Sequence, residues 1–291
     1  ALAGGSPTPV RRPAAVDERL EEADVTSGDY QYLRVERVGP VLRLTLNDPA
    51  RRNPLGLAAS QELARAFMAA EEDDDVRAIV LTGAGDAFSA GADLREAAQW
   101  LEADAAALNE LGRRLNQVFE WGERLRKPLI GAVRGPALGA GCALAAMCHV
   151  LFAAEDARFG IPEVRLGLFP LVVLPYLRRA IGDRRALELA LSGREMTAAE
   201  AHAAGLVHRV VPAAEVENAA MEYAQALAGH NPTAVRLGLE AFVASRDLPV
   251  REALAALNAA RTVALQDPGF RDAVRRFLAK RSGPGGASEN G

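Results

Sequence analysis

Three short, wholly apolar runs constrain this chain more than any other feature. Ala78-Ile79-Val80-Leu81, Leu129-Ile130-Gly131-Ala132-Val133 and Val150-Leu151-Phe152-Ala153 contain no alternating polar residue. A strand that is apolar on both faces has to be covered on both faces, as in a parallel sheet with a helix layer on each side. The intervening segments have helical spacing. Leu57–Glu72 puts Leu63, Ala66, Phe67 and Ala70 on one face, and residues 105–125 do the same with Leu108, Leu111, Leu115, Val118 and Phe119. Strands alternating with helices imply βαβ units and an α/β fold. Upstream, residues 32–46 alternate about a Gly39-Pro40 turn and read as a β-hairpin.

The character changes after Arg184. Thr197-Ala198-Ala199-Glu200 has the form of a capping box, and Gly205 is placed to end the helix it starts. Residues 206–211 read as a short strand, and from Pro212 the spacing is helical almost to Arg281. The expected organisation is a disordered extension over 1–28, an α/β core with the site over 29–205, a helical region over 206–281 and a disordered tail over 282–291. Arg11 and Arg12 suggest a targeting remnant, but Glu18, Glu21, Glu22 and Asp24 are wrong for a transit peptide.

Composition excludes several classes. A net charge of −4 without a basic stripe argues against a nucleic-acid surface. No apolar run approaches the roughly 20 residues of a membrane span. The two cysteines, Cys142 and Cys148, have no metal-ligand spacing with the four histidines. No metal is expected, and a reducing, cytoplasmic compartment fits.

Two loops share a design. Phe88-Ser89-Ala90-Gly91-Ala92-Asp93-Leu94 and Gly135-Pro136-Ala137-Leu138-Gly139-Ala140-Gly141 each follow a buried strand and bring small residues to a helix start. Such places aim unpaired N–H groups outward, and one from each loop can form an oxyanion hole. Taken singly, such a loop is more often simply a tight turn with close helix packing. The dinucleotide pattern G-x-G-x-x-G fails because Leu144 stands where its third glycine belongs.

With the segment Phe159-Gly160-Ile161-Pro162-Glu163-Val164-Arg165-Leu166-Gly167, these loops resemble, in order, three motifs of the crotonase superfamily of enoyl-CoA hydratases and isomerases. Arg52-Asn53-Pro54-Leu55, the stretch from Leu191 to Val207 and Phe277–Arg281 add matches away from the site, so the likeness covers about residues 30–281. The resemblance implies a crotonase-like core of repeated ββα turns with a C-terminal helical region, a homotrimer or dimer of trimers, and an acyl-CoA thioester substrate. Coenzyme A then belongs to the substrate and no separate cofactor is implied. It also implies oxyanion donors at the N–H of Ala92 and Ala140, and Glu163 as the acid/base residue. Ala143, Leu171 and Leu174 fall at the acyl pocket, and Arg52, Ala90, Leu94 and Lys280 (or Arg281) at the coenzyme A.

The pattern breaks in three places. Typical hydratases of the family carry a second glutamate where this chain has Ala143. Leu171-Val172-Val173-Leu174-Pro175-Tyr176-Leu177 replaces a Gly-rich stretch, which implies a bulkier, more apolar pocket. His149 replaces an aspartate and reads as structural. Asp93 is expected to cap its turn and Glu96 to face solvent. One carboxylate suits an isomerase's proton shuttle better than addition of water. Hydrolysis or decarboxylation of an acyl-CoA on the same scaffold, and a catalytically weak acyl-CoA-binding paralogue, are the alternatives.

Overall fold

The computed structural model describes residues 29–281. The extension 1–28 and the tail 282–291 lie outside the described residues. A hairpin of β1 (Leu33–Val38) and β2 (Val41–Leu46) leads through a 3₁₀ turn at Pro49–Arg51 to α1 (Leu57–Glu72) and β3 (Ala78–Gly83). A short α2 (Leu94–Ala98) and a long α3 (Ala105–Arg124) precede β4 (Leu129–Val133), β5 (Pro136–Leu138) and α4 (Ala140–Met147). Next come β6 (Val150–Ala154), β7 (Arg158–Gly160) and a 3₁₀ turn at Pro162–Leu166. The chain continues through α5 (Leu174–Ile181), α6 (Asp183–Ser192), β8 (Glu195–Thr197), α7 (Ala198–Ala204) and β9 (Arg209–Val211). It closes with α8 (Val216–Ala228), α9 (Pro232–Ser245), α10 (Val250–Gln266) and α11 (Pro268–Arg281).

The main sheet has the order β1-β2-β3-β4-β6-β9, antiparallel only between β1 and β2. Period-two side-chain alternation sorts its apolar residues into two layers. Leu42, Leu44, Ile79, Leu81, Leu129, Val133 and Leu151 face the larger core with Leu63 and Phe67 of α1. Val41, Val80, Ile130, Ala132 and Phe152 face the other way, onto Val216, Ala220, Ala224 and Ala228 of α8. Both faces are covered, as the unbroken apolar runs require. The four α8 positions recur every fourth residue, and the alanines let the helix lie close to the strands.

One feature differs from the sequence expectation. The loop after Gly135 contains a strand, β5, which pairs with β7 and through it with β8 in a second, three-stranded sheet. The short strand expected over 206–211 forms as β9, which pairs with β6, and α8 after it covers the second sheet face. The core packing therefore runs on to Ala228. The capping box at Thr197 and the left-handed Gly205 that ends α7 are both formed.

Beyond Ala228 the packing thins. No residue of α9 or α10 is buried, and the two helices pack mainly on each other. Ion pairs tie α9 to the core: Arg246 at its C-terminus pairs with Glu123 of α3, and Glu240 pairs with Arg126 at 3.5 Å. No helix among the described residues is long and apolar enough to cross a membrane.

Candidate active site

The loop after β3 is held by side chains. Asn53 has a left-handed backbone (φ 53°), a conformation Asn accepts more readily than most residues. Buried, it donates through Nδ2 to the carbonyls of Ala84 (2.9 Å) and Ala87 (2.8 Å). Ser89 Oγ donates back to Asn53 O (2.8 Å) and accepts from Gly91 N–H (3.2 Å). Leu55 N–H donates to Gly91 O (2.7 Å), and Asp93 N–H to Leu55 O (3.3 Å). These two bonds make one parallel bridge between Leu55 and Ala92. Gly91 C=O and Ala92 N–H belong to the same trans peptide and point opposite ways. The N–H of Ala92 therefore points away from Leu55, and it has no partner among the described residues.

The second loop is held by backbone. Ser89 N–H donates to Pro136 O (3.1 Å), Leu138 N–H to Ser89 O (2.9 Å) and Gly139 N–H to Gly160 O (2.9 Å). Gly139 (φ 50°) then turns the chain into α4. The N–H of Ala140 lies in the first turn, where no intrahelical acceptor exists. Its peptide is fixed from the other end, because Gly139 O accepts from Ala143 N–H (3.1 Å). The two loops touch through backbone. A Cβ on Gly91 would lie 2.6 Å from Leu138 O and 3.5 Å from Ala140 N, and one on Gly141 only 2.7 Å from Ser89 Cβ.

Glu163 arrives from a third segment, the 3₁₀ turn that Pro162 starts after β7. A Cβ on Gly139 would sit 2.9 Å from Glu163 Oε1 and 3.9 Å from Gly91 Cα. Glu163, Gly139 and Gly91 thus converge on one spot. Glu163 Oε2 is buried without a hydrogen-bond partner. Burial pushes the carboxyl above the ordinary glutamate value, against a smaller opposing effect of its own backbone N–H. The neighbouring Cys142 is driven the same way, to about 12, by burial and by the Glu163 charge, which leaves it an unreactive thiol.

The other predicted positions divide. Ala143 is fully buried on α4, and Leu174 packs against the main core. Leu171 is 67% exposed and Leu94 60%. Ala90 is exposed beside Arg52, whose carbonyl its N–H reaches at 2.7 Å. Arg52 itself is left-handed (φ 60°) and turned to solvent, with Asp86 no nearer than 4.0 Å. Lys280 is in the last turn of α11, and its side chain lies outside the described residues.

Asp93 caps α2 as expected, its Oδ1 accepting from the N–H groups of Arg95 and Glu96. Glu96 does not simply face solvent: its Oε2 accepts from Leu57 N–H (2.8 Å). The first residue of α1 needs an outside acceptor, and the N-cap residue Gly56 has no side chain to supply one. His149 accepts from Leu129 N–H through Nδ1 (2.9 Å), and burial lowers its pKa to about 4, so it is a structural, neutral imidazole. Asn53, Ser89 and Arg51 hold the first loop in place, and sequence reasoning gave none of them that role. The signal available was the proximity of Asn53 to a Pro in a loop, which is weak alone.

A cleft of about 440 Å³ opens at the other, N-terminal ends of β3 and β4, lined by Glu71, Arg77, Arg126, Lys127 and His230 among others. Its Lys127 donates to Ala70 O and Asp73 O and so closes the end of α1. No group of three or more His, Cys, Asp or Glu among the described residues could hold a metal.

The parallel sheet, the small second sheet beside it and the loops at their junction define a crotonase-fold protein. A solved enoyl-CoA hydratase from Mycobacterium smegmatis superposes with a TM-score of 0.82 at 32% identity, covering 86% of this chain and 97% of that one. Residues 36–284 match the family model for enoyl-CoA hydratase/isomerase, and the chain belongs to that family of enzymes. It is 38% identical to the 2,3-dehydroadipyl-CoA hydratase of Escherichia coli K12, over 86% of this chain and 96% of that protein. It is also 41% identical to the probable enoyl-CoA hydratase echA8 of Mycobacterium bovis, over 73% and 81% respectively.

Proposed function

We propose that the chain moves a double bond within an enoyl-CoA thioester, with Glu163 carrying the proton. The observation behind this reading is the convergence of Glu163 Oε1 on Gly139 and Gly91, the residues that precede the unpaired N–H groups of Ala140 and Ala92. A thioester oxygen accepting from both N–H groups brings the carbon beside its carbonyl to the glutamate. The Glu163 carboxylate removes a proton from that carbon of a 3-enoyl-CoA. The electron pair moves into the carbonyl oxygen as an enolate held by the two donors, and the same carboxyl returns the proton at the γ-carbon. The double bond ends between the α- and β-carbons, and no atom is gained or lost.

Ala143 supports a single-carboxylate cycle, because the first turn of α4 offers no second acid. A second reading, addition of water with Glu163 alone activating it, is favoured by the hydratase names of the relatives. The raised pKa of Glu163 suits either, since a carboxyl lifted above its ordinary value by burial holds a proton it has taken and can return it. The apolar side chains left exposed on α9 and α10, among them Phe242 (64%) and Leu254 (63%), support self-association into a trimer or a dimer of trimers.

The test is product identity. The protein is incubated with 2-enoyl- and 3-enoyl-CoA esters in D₂O beside Glu163→Gln, and products are followed by mass spectrometry. Double-bond migration with deuterium uptake, reduced by about 10²–10⁴ in the variant, is the expected result. A gain of one water makes the enzyme a hydratase. Neither reaction in the wild type overturns both readings.

A further inference from the structure

Gly91 leaves the donor peptide before Ala92 free to rotate, since a glycine at φ 98° has little steric preference of its own. One bond, Leu55 N–H to Gly91 O, holds the N-terminal side of that unit, and the long 3.3 Å bond from Asp93 N–H to Leu55 O closes the other. What fixes the Asp93 side is its carboxylate. Oδ1 is committed to the N–H groups of Arg95 (3.0 Å) and Glu96 (3.4 Å), and Oδ2 accepts from Arg51 Nη1 at 2.7 Å. The same guanidinium donates through Nε to Asp48 Oδ2 at 2.7 Å, and Asp48 N–H donates to Asn53 Oδ1 at 2.8 Å. Arg51 thus spans two carboxylates 45 positions apart in sequence, tying the Asn53 turn to the residue directly after Ala92. A planar, forked side chain is suited to bridging two acceptors, and a lysine is not.

We infer that Arg51 is a positioning residue of the oxyanion hole: its fork between Asp48 and Asp93 sets the direction of the Ala92 N–H. The inference rests on the reading of Ala92 N–H as a donor to the thioester oxygen. It does not place Arg51 on the substrate. The side chains of Asp93 and Asp48 are 14% and 18% exposed, so the pairs are better shielded from water than an ordinary surface ion pair.

The experiment separates positioning from stability and from the underlying reading. Affinity is measured for an acyl-CoA thioester and for the matching S-alkyl-CoA thioether, which lacks the carbonyl oxygen, on the wild type, Arg51→Ala and Arg51→Lys. Turnover and thermal midpoint are recorded for each protein. The expected result is a thioester preference and a kcat about 10-fold lower in Arg51→Ala, below the roughly 10²–10³ of losing a donor outright. Thioether affinity stays unchanged, and Arg51→Lys falls between, since a lysine recovers only one arm. An undiminished thioester preference in Arg51→Ala overturns the inference. So does a parallel loss of both ligands with a lowered midpoint, which marks a merely structural residue. A wild type that does not prefer thioester over thioether overturns the oxyanion reading itself.

Discussion

The two loops that meet at Glu163 present the same kind of group and are held in different ways. The 88–93 loop depends on side chains reaching in from elsewhere: Asn53, Ser89, and Arg51 through Asp93. The 135–141 loop depends on strand pairing and on the absence of side chains at Gly139 and Gly141. A donor held by side chains can be tuned by ordinary substitution. The glycines of both loops leave no such room, because an added Cβ meets main chain at Gly91 and Gly141 and the glutamate at Gly139.

Alanine at the two facing glycines separates what each close contact protects, the fold at Gly91 and the glutamate at Gly139. In Gly91→Ala the new Cβ meets backbone, 2.6 Å from Leu138 O, at a φ of 98°. We expect a loss of about 2–4 kcal/mol in chemical denaturation. In Gly139→Ala the Cβ meets the movable end of Glu163, at 2.9 Å from Oε1. Folding then suffers mainly the strain of placing alanine at φ 50°, ψ −121°, about 1–3 kcal/mol. Turnover falls by about 10²-fold, the usual result of a 1 Å misplacement. Equal stability losses with equal activities in the two variants would break the comparison.

Asn53→Ala sharpens it from the other side. The carbonyls of Ala84 and Ala87 lose their donor inside the protein, which is expected to cost about 1–3 kcal/mol. Turnover falls with it, while Asn53→Asp, which keeps the backbone preference but not the donors, recovers little. A thermal midpoint and a kcat at wild-type values would show that the loop stands without this residue.

The smallest effect is a pH dependence at Glu163. Its folded pKa is raised, so the ionised form is disfavoured by folding, and stability is lost as pH rises from the ordinary value of 4.5 through the folded one. Glu163→Gln is therefore expected to melt slightly above the wild type at neutral pH and level with it below pH 4.5. A gain that persists in acid points to packing instead.

Much of this architecture is legible in the chain itself. The runs at Ala78, Leu129 and Val150 are strands because only a sheet covered on both faces takes an unbroken apolar segment. The glycine-bearing loops and Glu163 were legible through three motifs in order, and the structure brings all three together. Three-residue strands such as β5 and β7 are too short to show a period. The core role of α8 was hidden because its stripe is mostly alanine, a residue as common on a surface helix. The part played by Asn53 could not be read locally, since its partners lie 31 and 34 positions away. Glu96 looked solvent-facing because the need it meets, at Leu57, belongs to another helix.

The central claim, that one carboxyl at the junction of the two loops moves the substrate proton, is tested most directly by isotope exchange. A saturated acyl-CoA in D₂O offers an exchangeable proton beside the carbonyl but no double bond to move or hydrate. Deuterium is expected to enter at that carbon with the wild type, and at a rate about 10²–10⁴ lower with Glu163→Gln, the acyl-CoA still bound. Exchange at an undiminished rate in the variant would contradict it.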